Sequence, residues 1–98
     1  MISATYGGGT LRVGYVTPSG AGVQLVESDR AVDQLLPAEL GADAKPGDLA
    51  AIGGRQWRWY PAARDGDRAF VQVDAGRTVI VIGAAAEDEL RTFVATLR

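Results

Sequence analysis

Apolar and polar positions change period several times along this chain, and each change marks an element. The clearest case is residues 77–98. A solid apolar run, Thr78-Val79-Ile80-Val81-Ile82, ends at Gly83, and Leu90, Phe93, Val94 and Leu97 then fall at i, i+3, i+4 and i+7. The run has no polar alternate, so it predicts a central strand covered on both sides. The spaced positions make one apolar stripe and predict an amphipathic helix, with Glu87, Asp88, Glu89 and Arg91 pointing away from it. The acidic trio suits the positive end of the helix dipole, and Arg91 and Arg98 lie nearer its C-terminus.

Upstream, residues 3–6 and 11–17 are β-type runs around Gly7-Gly8-Gly9, a hairpin with Leu11, Val13 and Tyr15 on one face. Pro18-Ser19-Gly20 turns the chain into residues 23–27, where Val23 and Leu25 oppose Gln24 and Val26. Ser28 or Asp29 is placed to cap a helix over residues 30–36, with Ala31, Val32, Leu35 and Leu36 inward. Pro37 allows at most one further turn. Residues 39–48, with Gly41, Pro46 and Gly47, form the longest irregular connection.

A strand over residues 49–52, a Gly53-Gly54 loop needing positive φ at both positions, and a strand over residues 55–60 make the next hairpin. Pro61 ends or edges it, and Arg64-Asp65-Gly66-Asp67 turns the chain into residues 69–73. Asp74-Ala75-Gly76 then suits a three-residue hairpin loop leading to the central strand. The order is meander, helix, meander, helix. It describes an α+β domain spanning residues 1–98, with two helices and a largely antiparallel sheet of about seven short strands.

Composition narrows the chemistry. At 47% hydrophobic and 22% charged over 98 residues, the chain has the material for one core and no apolar run long enough to span a membrane. It starts without the basic and apolar regions of a signal peptide. Cysteine and histidine are both missing, which removes the usual zinc and copper ligands, the thiol nucleophile and the imidazole base. No metal site and no cofactor is expected. The net charge of −2 and a pI near 4.9 argue against a nucleic-acid partner.

The densest chemistry is Arg55-Gln56-Trp57-Arg58-Trp59-Tyr60. On a strand, Arg55, Trp57 and Trp59 share one face, and Gln56, Arg58 and Tyr60 the other. Two readings stand. Arg55, Trp57, Trp59 and Arg58 form a binding site, an aromatic floor with arginines at its rim; or the tryptophans fill the core under a helix, the usual fate of large aromatics. With Arg64 and Arg68 the same stretch resembles a basic aromatic patch for single-stranded nucleic acid, which Asp65, Asp67 and the acidic pI oppose.

Other features read more simply. Gly7-Gly8-Gly9 is followed by a strand and no Lys-Ser/Thr, so it is a turn and no phosphate cradle. Asp65-Gly66-Asp67 with Asp74 is too sparse for a calcium loop. Glu27, Asp29, Asp33 and Asp48 lie near element ends without an apolar setting to raise a pKa, and Lys45 sits in a Pro/Gly loop. The Glu87-Asp88-Glu89 run reads as a solvated helix start. No catalytic residues are assigned, and the chain is not expected to be an enzyme.

Three segments carry a resemblance: Leu11-Arg12-Val13-Gly14-Tyr15-Val16-Thr17-Pro18-Ser19-Gly20, Gly54-Arg55-Gln56-Trp57, and Val79-Ile80-Val81-Ile82-Gly83 followed by Glu89-Leu90 and Leu97. With these the chain resembles a family of actinobacterial membrane-anchored proteins catalogued only as domain of unknown function 4245. The family implies an extracytoplasmic domain tethered by an N-terminal transmembrane helix absent from this chain, with Met1 as a truncation point and the fragment itself soluble. It brings no activity and no site residues. Its members tend to cap the last helix with Ser or Thr, where this chain has Ala84-Ala85-Ala86. The element order is also similar to the Mog1/PsbP-type sandwich, a likeness of fold alone. The function expected is that of a non-catalytic accessory or binding domain of the cell envelope with a protein partner; the alternative is a carrier or sensor of an apolar small molecule or lipid on the Trp57/Trp59 face.

Overall fold

A computed structural model describes residues 3–97. Seven strands form one sheet: β1 (Ser3–Gly7), β2 (Thr10–Val16), β3 (Gly22–Ser28), β4 (Leu49–Ile52), β5 (Arg55–Tyr60), β6 (Arg68–Asp74) and β7 (Arg77–Gly83). Their spatial order is β1-β2-β3-β7-β6-β5-β4, and every neighbouring pair is antiparallel. The helices are α1 (Val32–Leu40) and α2 (Glu87–Ala95). The α+β reading holds, as does the place of the apolar run: β7 sits in the middle of the sheet.

Alternation along the strands sorts the core into two layers. Val81, Phe70, Leu25, Val23, Val13, Ile52 and Trp57 pack with Leu90 and Val94 of α2. Ile80, Ile82, Val26, Ala69, Val71 and Tyr60 pack on the opposite face with Leu35 and Leu40 of α1. Successive residues of β7 therefore feed opposite layers, which is why its sequence carries no polar alternate. The last position of this strand is glycine because a Cβ there would collide with the Gly22 carbonyl of β3.

Several boundaries differ from the sequence expectation. Gly8-Gly9 and Ala75-Gly76 are two-residue turns with positive φ, and Asp74 pairs with Arg77, so the last hairpin loop is shorter than three residues. Helix α1 begins at Val32, two residues late, after an uncapped Ala31. Ser28 is occupied elsewhere: its hydroxyl bonds that of Thr10 at 2.8 Å and accepts from the Arg30 N–H at 3.1 Å. Ala31 and Val32 are exposed, and Leu40 takes the inward place instead. Pro37 lies inside α1 and the helix ends three residues later, the single extra turn expected. Helix α2 starts after Ala86 with no side-chain cap.

One contact fastening α1 to the sheet joins residues far apart in sequence. Arg12 of β2 donates both terminal nitrogens to the buried Glu39 carboxylate, at 2.5 and 2.6 Å. This two-pronged bond outweighs the cost of burial and holds the Glu39 carboxyl below its usual range, with Arg64 and Arg30 adding weaker attraction. The same bond raises the pKa of Arg12.

Removing Arg12 leaves a buried carboxylate without its partner. Arg12→Ala is expected to cost about 2–3 kcal/mol in urea unfolding at neutral pH, less than for a fully buried pair because water screens the part-exposed Arg12. Because Glu39 is more acidic in the folded chain, its contribution is complete above the ordinary carboxylate range and is lost as the pH falls through its lowered folded value. The stability advantage of wild type over Glu39→Gln should therefore shrink below about pH 4; an advantage that grows on acidification would contradict the pairing.

Candidate functional site

The hairpin β4–Gly53-Gly54–β5 matches its sequence reading in both strands, and both glycines have positive φ. Alternation on β5 places Trp57 and Trp59 on the α2 side and Gln56, Arg58 and Tyr60 on the α1 side. Their fates differ with depth. Trp57 is 2% exposed and belongs to the core under α2, the structural one of its two readings. Its indole N–H is buried and has no hydrogen-bond partner among the described residues. Trp59 is half-buried and stacks on Phe70 of β6, with ring centroids 4.7 Å apart.

The cation beside these rings comes from an unexpected place. Arg91 of α2, read from sequence as pointing away, is half-buried with its guanidinium 5.6 Å from the Phe70 ring centre, and it also pairs with Glu87 at 2.9 Å. Arg55 is exposed at the start of β5. Arg58 is on the opposite face from the tryptophans and donates to the Gly47 carbonyl at 3.0 Å. The four residues Arg55, Trp57, Trp59 and Arg58 therefore do not converge on one site: Trp57 is interior, and Arg58 lies across the sheet.

Arg58 does, however, stand in a groove. Leu36 of α1, Leu49 of β4, Gln56, Arg58 and Tyr60 of β5, and Val71 and Val73 of β6 line an open depression of about 330 Å3 on the α1 side. Leu49 is 53% and Val73 54% exposed, so α1 leaves this end of the sheet face uncovered. Beside the groove the chain bulges: Gly47 donates to the Trp59 carbonyl at 2.7 Å and Trp59 donates to the Asp48 carbonyl at 2.9 Å, two residues against one. No carboxylate pairs with Arg58 among the described residues.

A second groove, about 450 Å3, runs between α2 and the end of β2 and is lined by Tyr15, Val16, Thr17, Pro18, Phe93 and Thr92 among others. Tyr15 and Phe93 meet edge to face at 5.0 Å in its wall. Glu89 closes one end. Its carboxylate accepts from the Thr17 hydroxyl at 2.9 Å, the Ser19 hydroxyl at 2.5 Å and the Ser19 N–H at 3.3 Å. Glu89 thus clamps the β2–β3 turn to α2, and the Ser19 hydroxyl, then Thr17, hold its carboxyl below the usual range. This corrects the reading of the acidic trio as merely solvated; the partners lie seventy residues away in sequence, where helical periodicity carries no signal.

A family model described as protein of unknown function (DUF4245) matches residues 2–97. The chain is a member of that family. No curated protein and no solved structure matches it, so the likeness to the Mog1/PsbP-type sandwich rests on element order alone. The family carries no assigned activity into either groove. Among the described residues no group of three or more acidic side chains is placed to hold a metal ion, and no helix is long and apolar enough to cross a membrane.

The two tryptophans should separate on truncation. Trp57→Ala is expected to destabilise the fold by about 3–5 kcal/mol in chemical denaturation, as for a fully enclosed large aromatic. Trp59→Ala should cost about 1–2 kcal/mol, mostly its stacking on Phe70. Equal losses would contradict the difference in depth.

Proposed function

We propose that this domain is a non-catalytic binding module, the extracytoplasmic part of a membrane-anchored envelope protein of actinobacteria, which presents the β4–β5–β6 sheet face to a protein partner. The observation that carries the reading is the uncovered groove at Leu49, Val73 and Arg58. Among the described residues neither helix covers Leu49 and Val73, and the groove of mixed polar and apolar lining that they share with Gln56 and Arg58 holds a cation that no carboxylate pairs with. Membrane tethering and the envelope location follow from the resemblance described above and extend the family membership. The composition supports a binding role over catalysis, since neither cysteine nor histidine is available as nucleophile, base or soft metal ligand.

The second reading, a carrier or sensor of an apolar small molecule or lipid, is favoured by a different observation. The groove between α2 and β2 has about 450 Å3 and mostly apolar walls, within the size of small-molecule sites. A carrier would use that space, since Trp57 has no exposed surface to offer.

The test is photo-crosslinking in cells that make the full-length protein. With p-benzoylphenylalanine in place of Leu49 or Val73, one identified protein should be captured in the membrane fraction, under conditions where external protease removes the domain. The same probe at the exposed Asp43 should capture nothing. No adduct at Leu49 or Val73, with a reproducible small-molecule mass on the native protein, would replace the first reading by the second.

A further inference from the structure

β4 ends the sheet, and its free edge has a defined polarity. The two-residue turn pairs Ile52 with Arg55, and the register continues through Ala51–Gln56, Ala50–Trp57 and Leu49–Arg58. In an antiparallel hairpin closed this way, the pairs next to the turn exchange both bonds and alternate with pairs that exchange none. Ile52 and Ala50 therefore bond to β5, while Leu49 and Ala51 aim their N–H and C=O groups outward. The same two residues put their side chains on the face of Arg58 and Gln56, where Leu49 lines the groove.

Apart from its shortness, four residues, this edge lacks the usual defences. Leu49-Ala50-Ala51-Ile52 has no charge and no proline, and the Gly47–Asp48 bulge lies before it. The β4–β5 hairpin itself, residues 49–60, carries Arg55 and Arg58 and no acidic residue, with Asp48 directly before it, in a chain whose net charge is −2. Arg58 reaches across to the Gly47 carbonyl, so its guanidinium already lies beside the edge-strand backbone.

Resting on the binding-module reading, we infer that β4 is a docking edge for an extended acidic segment of a partner protein, which adds as an eighth strand. Its backbone bonds to Leu49 and Ala51, its alternate apolar side chains lie against Leu49 at the near rim of the groove, and an Asp or Glu carboxylate meets Arg58. A second copy of this chain is the poorer occupant. Two-fold pairing of β4 with β4 keeps like faces together, so it would bring a second Arg58 to that face and no carboxylate from β4 or β5.

The experiment is selection from a display library of random twelve-residue linear peptides on the purified domain, followed by binding measurements and amide shift mapping on the selected peptides. The expected peptides alternate Val, Ile or Leu with polar residues and include an Asp or Glu. Their shifts centre on residues 49–58, and Arg58→Glu weakens them about tenfold or more while favouring Lys- or Arg-bearing peptides. Ala51→Pro, which removes an outward N–H and no ladder bond, should abolish binding with the fold intact. If that variant does not fold, N-methylation of alternate amides in the selected peptides gives the same readout. Peptides indifferent to Ala51→Pro or its N-methyl equivalent and to Arg58→Glu, peptides that map to β1, a β4-mediated dimer in sedimentation, or no selected peptide would each overturn the inference. The binding-module reading would survive these results if the crosslinks at Leu49 and Val73 are positive, and would fall with the inference if they are empty.

Discussion

A seven-stranded sheet with an apolar central strand must be covered on both faces, and the described residues supply two α-helices of nine residues each for the purpose. Strands spaced about 4.8 Å apart make a sheet roughly 29 Å wide, and a helix with its side chains spans about 10–12 Å. One helix per face therefore shields the middle strands and leaves the flanks to side chains. The two faces solve this differently. Five of the seven aromatic residues, Tyr15, Trp57, Trp59, Phe70 and Phe93, pack on the α2 side, where their breadth extends the cover from β2 to β5, and Tyr6 stands exposed on β1. The α1 side has Tyr60 alone, and the β4–β6 end of its face stays open.

The polar fastenings compensate for that asymmetry. α1, with few inward apolar residues, is tied to β2 by Arg12 and Glu39; α2 is tied to the β2–β3 turn by Glu89. Both anchor the helices towards the β1–β2–β3 half of the sheet. The opposite half, built from the β4–β5 hairpin, carries the uncovered groove, the bulge and the free edge. The polar ties and the proposed binding edge thus lie in different halves, so exposed edge residues can be changed without disturbing those ties, while Ile52, Trp57 and Phe70 carry the core into the β4–β6 half as well.

Much of this fold was legible in the sequence because local chemistry specified it. Gly53-Gly54 between alternating runs permits little besides a tight hairpin, and a run such as Thr78-Val79-Ile80-Val81-Ile82 permits little besides a doubly covered strand. The start of α1 was misread because Ser28 had a stronger claim from Thr10, a strand neighbour eighteen residues away. Arg12–Glu39 and Glu89–Ser19 were invisible for the same reason: pairing at long separation leaves no periodic trace. Alternation identified the face shared by Trp57 and Trp59 but not their depth, since depth is decided by what packs above. The groove at Leu49 and Val73 depends on where α1 stops covering the sheet, which is a tertiary fact with no signature of its own in β4, β5 or β6.

Residue-resolved amide hydrogen exchange along β4 tests the central claim most directly, measured on the free domain and on the domain purified with its captured partner. The account predicts fast exchange at Leu49 and Ala51 and slow exchange at Ala50 and Ile52 in the free protein, with all four slow in the complex. Protection of Leu49 and Ala51 in the free domain, or an unchanged alternation in the complex, would contradict it.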